Sequence, residues 1–168
     1  MSDPQLLDEL RQVQLLEGVS EEHLEHLAAI ARCVDVPANT TILRAGETAT
    51  TLYLIVSGRV SLEIHAPGIG SKRILTVNEG ELLGWSSVMK NKKLTASGQT
   101  PVSTRVIAVD GKEIRALCEK YPRFGYEFMR RAVLALGKRL SATRLQLLDL
   151  YGDDQPGSSA SEKSGGPS

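Results

Sequence analysis

Two periodicities alternate along this chain. Residues 4–16 read as a short amphipathic helix, and Ser20 is placed to cap a second one over 21–32, whose apolar Leu24, Leu27, Ala28 and Ile30 share a face. From Val34 to Val109 the helical spacing gives way to short β-branched runs, among them Thr40-Thr41-Ile42-Leu43, Leu52-Tyr53-Leu54-Ile55-Val56 and Arg59-Val60-Ser61-Leu62-Glu63-Ile64. Glycines separate these runs at 46, 58, 68, 70, 80 and 84, where turns call for positive φ. No helical crossover is long enough for a parallel βαβ unit, so the strands should form an antiparallel roll or barrel. Helical pattern returns over 110–119 and, after Pro122, runs unbroken to about Tyr151. The predicted fold is therefore α+β: an antiparallel, jelly-roll-like β-roll flanked by N-terminal helices and a long C-terminal helix. One domain is expected over 1–151, and 152–168, rich in Gly, Ser and Pro, is expected to be disordered.

The last helix carries a second pattern. Tyr126, Met129, Val133, Leu136, Leu140, Thr143, Leu147 and Leu150 recur at alternating steps of three and four, the seam of a coiled coil. Phe128, Leu134, Ala135, Ala142 and Leu148 form a stripe beside it. One neighbour cannot bury both, so one stripe should face the roll and the other a partner helix, which predicts a homodimer. Arg130, Arg131, Lys138 and Arg139 read as a solvated face rather than a nucleic-acid track.

Composition narrows the function. Twenty Lys and Arg balance twenty Asp and Glu, so no overall field draws the chain to nucleic acid or anionic lipid. Neither a leader of basic and apolar regions nor an apolar run of membrane-spanning length is present, so a cytoplasmic protein without membrane contact is expected. Cys33 and Cys118 show no CxxC spacing and read as buried apolar residues. His23 and His26 lie near Glu22, but no third metal ligand is visible, and they read as part of a plain surface helix. Gly68-Ile69-Gly70-Ser71-Lys72 lacks the phosphate-loop order and reads as a hairpin tip. No nucleophile, base or carboxylate pair can be assembled, so no catalytic residue, metal or cofactor is assigned and an enzyme is not expected.

Three segments carry a family resemblance. Ile42-Leu43-Arg44-Ala45-Gly46-Glu47, the run from Leu52 through Ser57-Gly58-Arg59-Val60, and Val77-Asn78-Glu79-Gly80-Glu81-Leu82-Leu83-Gly84 resemble the opening strands and the lead-in to the phosphate-binding cassette of cyclic nucleotide-binding domains of the catabolite-activator type. The similarity spans roughly residues 12–151. In that family the cassette glycine is followed by a Glu for the ribose hydroxyl, and an Arg before Thr/Ser-Ala holds the phosphate. The matching positions here are Gly84-Trp85 and Leu94-Thr95-Ala96. Leaving a buried charge without its partner costs about 2 to 5 kcal/mol, so the resemblance implies weak or altered nucleotide binding.

What the resemblance leaves is a turn, Gly84 through Met89, whose amides would hold an anion with the hydroxyls of Ser86, Ser87 and Thr95, and with Lys92 or Lys93 as a substitute cation. Two readings of Trp85 stand side by side: stacking on a ligand, or plugging the space a nucleotide would occupy. The resemblance also brings Thr143 and Arg144 to the ligand, against the alternative that Thr143 only sets the register of the seam. The effector implied is a cyclic nucleotide or another small anionic ligand. The expected function is a regulatory ligand-sensing module acting in transcriptional control through a partner, without direct DNA contact, since the chain stops before a DNA-binding domain. The alternative is a ligand-free dimeric scaffold or protein-interaction module.

Overall fold

The protein, seen in a computed structural model that describes residues 3–153 apart from the side chains at 146 and 150–153, consists of eight strands and four α-helices. In chain order these are α1 (Pro4–Gln12), α2 (Glu21–Ala28), β1 (Ala31–Val36), β2 (Thr41–Leu43), β3 (Thr51–Ser57), β4 (Val60–Ala66), β5 (Gly70–Val77), β6 (Leu82–Leu83), β7 (Ser97–Gln99), β8 (Thr104–Asp110), α3 (Gly111–Lys120) and α4 (Pro122–Asp153). Tight 3-10 turns at Gln14–Leu16 and Trp85–Val88 complete the set. The strands form two four-stranded sheets, β1-β8-β3-β6 and β2-β7-β4-β5, with antiparallel pairing throughout. The antiparallel roll with flanking helices follows the pattern of the sequence.

Apolar alternation sorts the two cores. Leu52 and Leu54 of β3 and Ile107 and Val109 of β8 pack with Leu10, Leu27, Ile114, Phe124 and Phe128 of the helices. Residues of opposite strand parity, Ile55 and Val106, turn into the roll against Val36, Leu43, Val60, Leu62, Val77 and Leu83. The uninterrupted Val106-Ile107-Ala108-Val109 is thus buried on both faces, the signature of a strand between two layers. Each fully buried Leu or Phe contributes roughly 1.5–3 kcal/mol.

Local chemistry explains the helix ends. Ser20 accepts the His23 N–H and caps α2, and Asp110 accepts from the N–H groups of Lys112 and Glu113 at α3. Asp110 is therefore a cap rather than the first helical residue. The single helix expected over 4–16 breaks at Val13, whose extended backbone buries its side chain before the 3-10 turn. The helix expected to reach residue 32 stops at Ala28, because Ala31 and Arg32 pair with Val109 and Ala108 in the sheet. Sheet hydrogen bonding there overrides helical spacing. α4 continues to Asp153, two residues beyond the expected end, so the first two residues of the tail expected to be disordered, 152–168, are helical, and 154–168 lie outside the described residues.

The described residues divide into two compact units, one up to Leu136 and one from Gly137 onward. Within the first, Phe124, Phe128 and Ala132 of α4 are buried in the helix-side core and Met129 packs against it. Met129, expected on the dimer seam, is half-buried against the core of its own chain. Arg131, expected on a solvated face, donates from Nη1 to the Leu15 carbonyl at 3.0 Å and from Nε to Glu127 at 2.9 Å. Tyr126, Val133 and Leu134 are exposed. In the second unit Leu140, Leu145, Leu147 and Leu148 are exposed. Leu136 is half-buried, and the side chain of Leu150 lies outside the described part.

The histidines and cysteines are also more engaged than expected. His26 stacks on Tyr121 with ring centroids 3.9 Å apart, and His23 meets Phe124 edge-on at 5.7 Å. Both cysteines are half-buried against the helix-side core rather than fully buried, and Cys33 makes a polar contact as well. Among the described residues, no helix is long and apolar enough to cross a membrane.

Candidate functional site

The site grows from a single glycine. Strand β6 ends on β3, with Leu83 opposite Tyr53, and the chain then turns through Gly84 at φ 77°. A Cβ at Gly84 would stand 2.6 Å from the Thr51 carbonyl oxygen, so space and backbone both require glycine there. The 3-10 turn Trp85–Val88 follows, closed by Ser87 N–H on the Gly84 carbonyl at 3.1 Å and Met89 N–H on the Ser86 carbonyl at 3.1 Å.

Four of the expected ligand residues, Gly84, Trp85, Ser86 and Ser87, are contiguous in this turn and face different ways. The Trp85 side is outward: the residue is 40% exposed. A residue exposed to that degree is not enclosed in the roll interior. Ser86 is buried at the turn. Ser87 has no exposed surface, and its hydroxyl donates to the Gly84 carbonyl at 2.7 Å. Ser87 is therefore part of the scaffold rather than a hydroxyl offered to a ligand, because its one proton already closes the turn.

The second half of the cassette is held by residues 46–49. Gly46 N–H donates to Leu94 O, Leu94 N–H to Glu47 O and Ala49 N–H to Lys92 O, each at 2.8 Å. Lys92, Lys93 and Thr95 are exposed, whereas Leu94 is half-buried and packs against the cluster inside the roll. An apolar side chain thus extends the roll interior where the family resemblance would have a guanidinium. Thr143 and Arg144 lie in the second unit; the Thr143 hydroxyl donates to the Arg139 carbonyl one helical turn back at 3.0 Å, and Arg144 is exposed.

The sequence reading overlooked the underside of the turn. The Ser87 carbonyl accepts a hydrogen bond from Arg115 Nη1 at 2.7 Å. Gly111 presses on the same peptide, since a Cβ there would fall 2.1 Å from Ser87 O, and its N–H donates to Thr50 O at 2.8 Å. One signal was available: a glycine in the first turn of a helix works against helix propensity and points to a close approach.

The cyclic nucleotide-binding domain model matches residues 33–121, both sheets and the turn included. The chain belongs to that family. A CRP-like cAMP-activated global transcriptional regulator of Mycobacterium tuberculosis is 28% identical over 149 residues, which are 88% of this chain and 64% of the relative. The chain thus spans a little under two thirds of that curated protein. A cyclic nucleotide-binding domain from Methylobacillus flagellatus superposes with a TM-score of 0.75 at 21% identity, covering 86% of this chain and 82% of that one. The Xanthomonas campestris regulator CLP, described as c-di-GMP responsive, superposes with a TM-score of 0.70 at 19% identity, covering 79% and 65%. These similarities establish the β-roll of the cyclic nucleotide-binding domain as the fold of this chain.

Proposed function

We propose that this chain is a regulatory ligand-sensing module whose altered cassette binds cyclic AMP weakly and favours a different nucleotide or another small anionic ligand. The observation that carries this reading is the combination at one turn of a glycine-dependent backbone with an outward indole at Trp85 and an inward aliphatic side chain at Leu94. The first supports an intact cassette frame. The second and third remove the acid and the base that would clasp a ribose phosphate. Trp85 offers a face for base stacking, and Ser86, Thr95 and the Lys92-Lys93 pair stand near enough in sequence to complete an anion site.

Ligand occupancy would act through the helices that follow the turn, and α4 would present the result to a second copy of the chain. Transcriptional control through a partner protein is the downstream role that fits the Mycobacterium relative, described as a transcriptional regulator. Cytoplasmic location and absence of direct DNA contact belong to the same proposal, as does a role without catalysis. Thr143 and Arg144 are proposed as the α4 contribution to the ligand.

The deciding experiment is a thermal-shift and calorimetric series with cyclic AMP, cyclic GMP and cyclic di-GMP. A ligand at a hundredfold over its Kd adds about 2.7 kcal/mol, which raises the melting temperature by several degrees for a domain of this size. Binding of cyclic AMP at micromolar or better affinity would overturn the altered-cassette reading. A second reading, a ligand-free dimeric scaffold, draws on the packing of Leu94 into the roll core. Silence of the full nucleotide series would favour it.

A further inference from the structure

We propose that Arg115 is a positioning residue for the cassette turn: it holds the Ser87 peptide from below and makes α3 a structural part of the site. The proposal deepens the sensing function proposed above and rests on it for its biological consequence.

Gly111 and Arg115 are four residues apart on α3 and so share a face. Both address the Ser87 peptide, one by contact closer than any side chain allows and the other by a 2.7 Å hydrogen bond from a guanidinium. The same turn is tied on its other side to the start of β3. Thr51 O lies against Gly84, and Thr50 O accepts the Gly111 N–H. Ser87 Oγ then closes the turn internally on Gly84 O. Every member of this set touches the next, so the Trp85–Val88 turn cannot shift without moving Gly111 or stretching the Arg115 bond.

A charged donor matters here because the Ser87 residue is fully buried. Charge-assisted hydrogen bonds are shorter and stronger than neutral ones, and a buried carbonyl deprived of its donor bears the desolvation cost. Arg115 also lines a cleft of about 770 Å³ with Thr48, Thr50, Lys90, Lys112 and Glu119. The guanidinium is therefore reachable from the surface while its bond points inward. A ligand that draws the turn outward pulls on α3, and a shift of α3 re-aims Trp85.

The test reads the turn without any nucleotide. Trp85 is the only tryptophan, so emission excited beyond the tyrosine absorption band reports this turn alone, and amide hydrogen exchange resolves residues 85–89. In the full chain, Arg115→Met should speed exchange at 85–89 by about tenfold or more and shift the Trp85 emission, with the β3 and β8 amides unchanged. Arg115→Lys, which keeps a charge but loses the planar fork, should give an intermediate acceleration. Parent-like exchange and emission in Arg115→Met would overturn the proposal, as would acceleration spread equally over every strand and helix. If Arg115→Met does not fold, Arg115→Lys is read by the same two criteria. Silence of the full nucleotide series would count against the sensing function and leave these readouts intact.

Discussion

The Cys33 thiol donates to Glu9 Oε2 across 2.8 Å, joining strand β1 to helix α1. Arg105 of β8 holds the other carboxylate oxygen from Nε at 2.9 Å and reaches Asp35 at 2.8 Å, so one guanidinium bridges the helix and the sheet. Burial alone would push the Glu9 carboxyl up, but the hydrogen bonds from Arg105 and Cys33 outweigh it and hold the group below the ordinary carboxylate range. Burial, then the bond to Glu9, pushes the Cys33 thiol up to about 11.

Acid should therefore loosen α1 first. A carboxyl with a depressed folded pKa contributes stability that is present above its unfolded value, about 4.3 for Glu, and that is lost as pH falls through the folded value. Glu9→Gln should be less stable than the parent by about 1–3 kcal/mol at pH 7. That gap should narrow as pH is lowered from 5 toward 3. Denaturant titrations of both proteins across this range measure it, and a gap constant with pH would sink the assignment.

The same contact governs thiol chemistry. Relative to an ordinary thiol, one raised to about 11 carries roughly two hundredfold less thiolate at about pH 8. Cys33 should accordingly resist iodoacetamide, and Glu9→Gln should speed its alkylation, since the anion that opposes ionisation is gone. Peptide mass spectrometry separates Cys33 from Cys118, whose thiol is raised by burial. Equal rates at Cys33 in both proteins would show that Glu9 has no hold on it. The sign for stability is opposite to that of Glu9: the raised thiol favours the folded state below its ordinary value of about 8.5, and that contribution declines as pH rises toward the folded value.

Gly84 and Trp85 should respond differently to alanine. Gly84→Ala sets a Cβ against Thr51 O at 2.6 Å with φ at 77°, and should cost on the order of 1–3 kcal/mol, distorting the turn. Trp85→Ala removes a ring from a residue 40% exposed and should cost well under the roughly 3 to 5 kcal/mol of a buried aromatic. Ligand affinity, by contrast, should fall in both. Chemical denaturation beside calorimetry with whichever nucleotide raises the melting temperature distinguishes the two. A Trp85→Ala loss as large as that of Phe124→Ala would return the indole to the core.

The roll was legible because glycine spacing and β-branched runs are local signals, and Gly84 itself marks the cassette. The start of β1 was not, since residues 31 and 32 carry helical spacing and become strand only through pairing with Val109 and Ala108 of a distant segment. Side-chain direction was likewise hidden. Ser86, Ser87 and Thr95 look alike in sequence, but only the three-dimensional turn commits the Ser87 hydroxyl to Gly84 O. Arg115 escaped notice because its partner is a backbone carbonyl 28 residues earlier, which no side-chain motif records.

Helix α4 supplies the last prediction. Tyr126, Val133, Leu140 and Leu147 recur every seven residues and are all exposed, while Phe124, Phe128 and Ala132 are consumed by the core of the same chain. A heptad of exposed apolar residues is covered most simply by the same heptad of a second copy, through an isologous seam. Met129, half-buried against the helix-side core, lies beside that stripe. Leu140→Glu and Val133→Glu should each convert a dimer to a monomer in sedimentation equilibrium at tens of micromolar. Because both side chains are exposed in the single chain, neither change should alter the roll by more than about 0.5 kcal/mol once monomers are compared. Phe128→Ala should do the reverse, costing about 3 to 5 kcal/mol of folding stability through a cavity in the helix-side core. A parent chain that sediments as a monomer at these concentrations would refute the seam, and loss of folding in Leu140→Glu would move that residue from the interface to the interior.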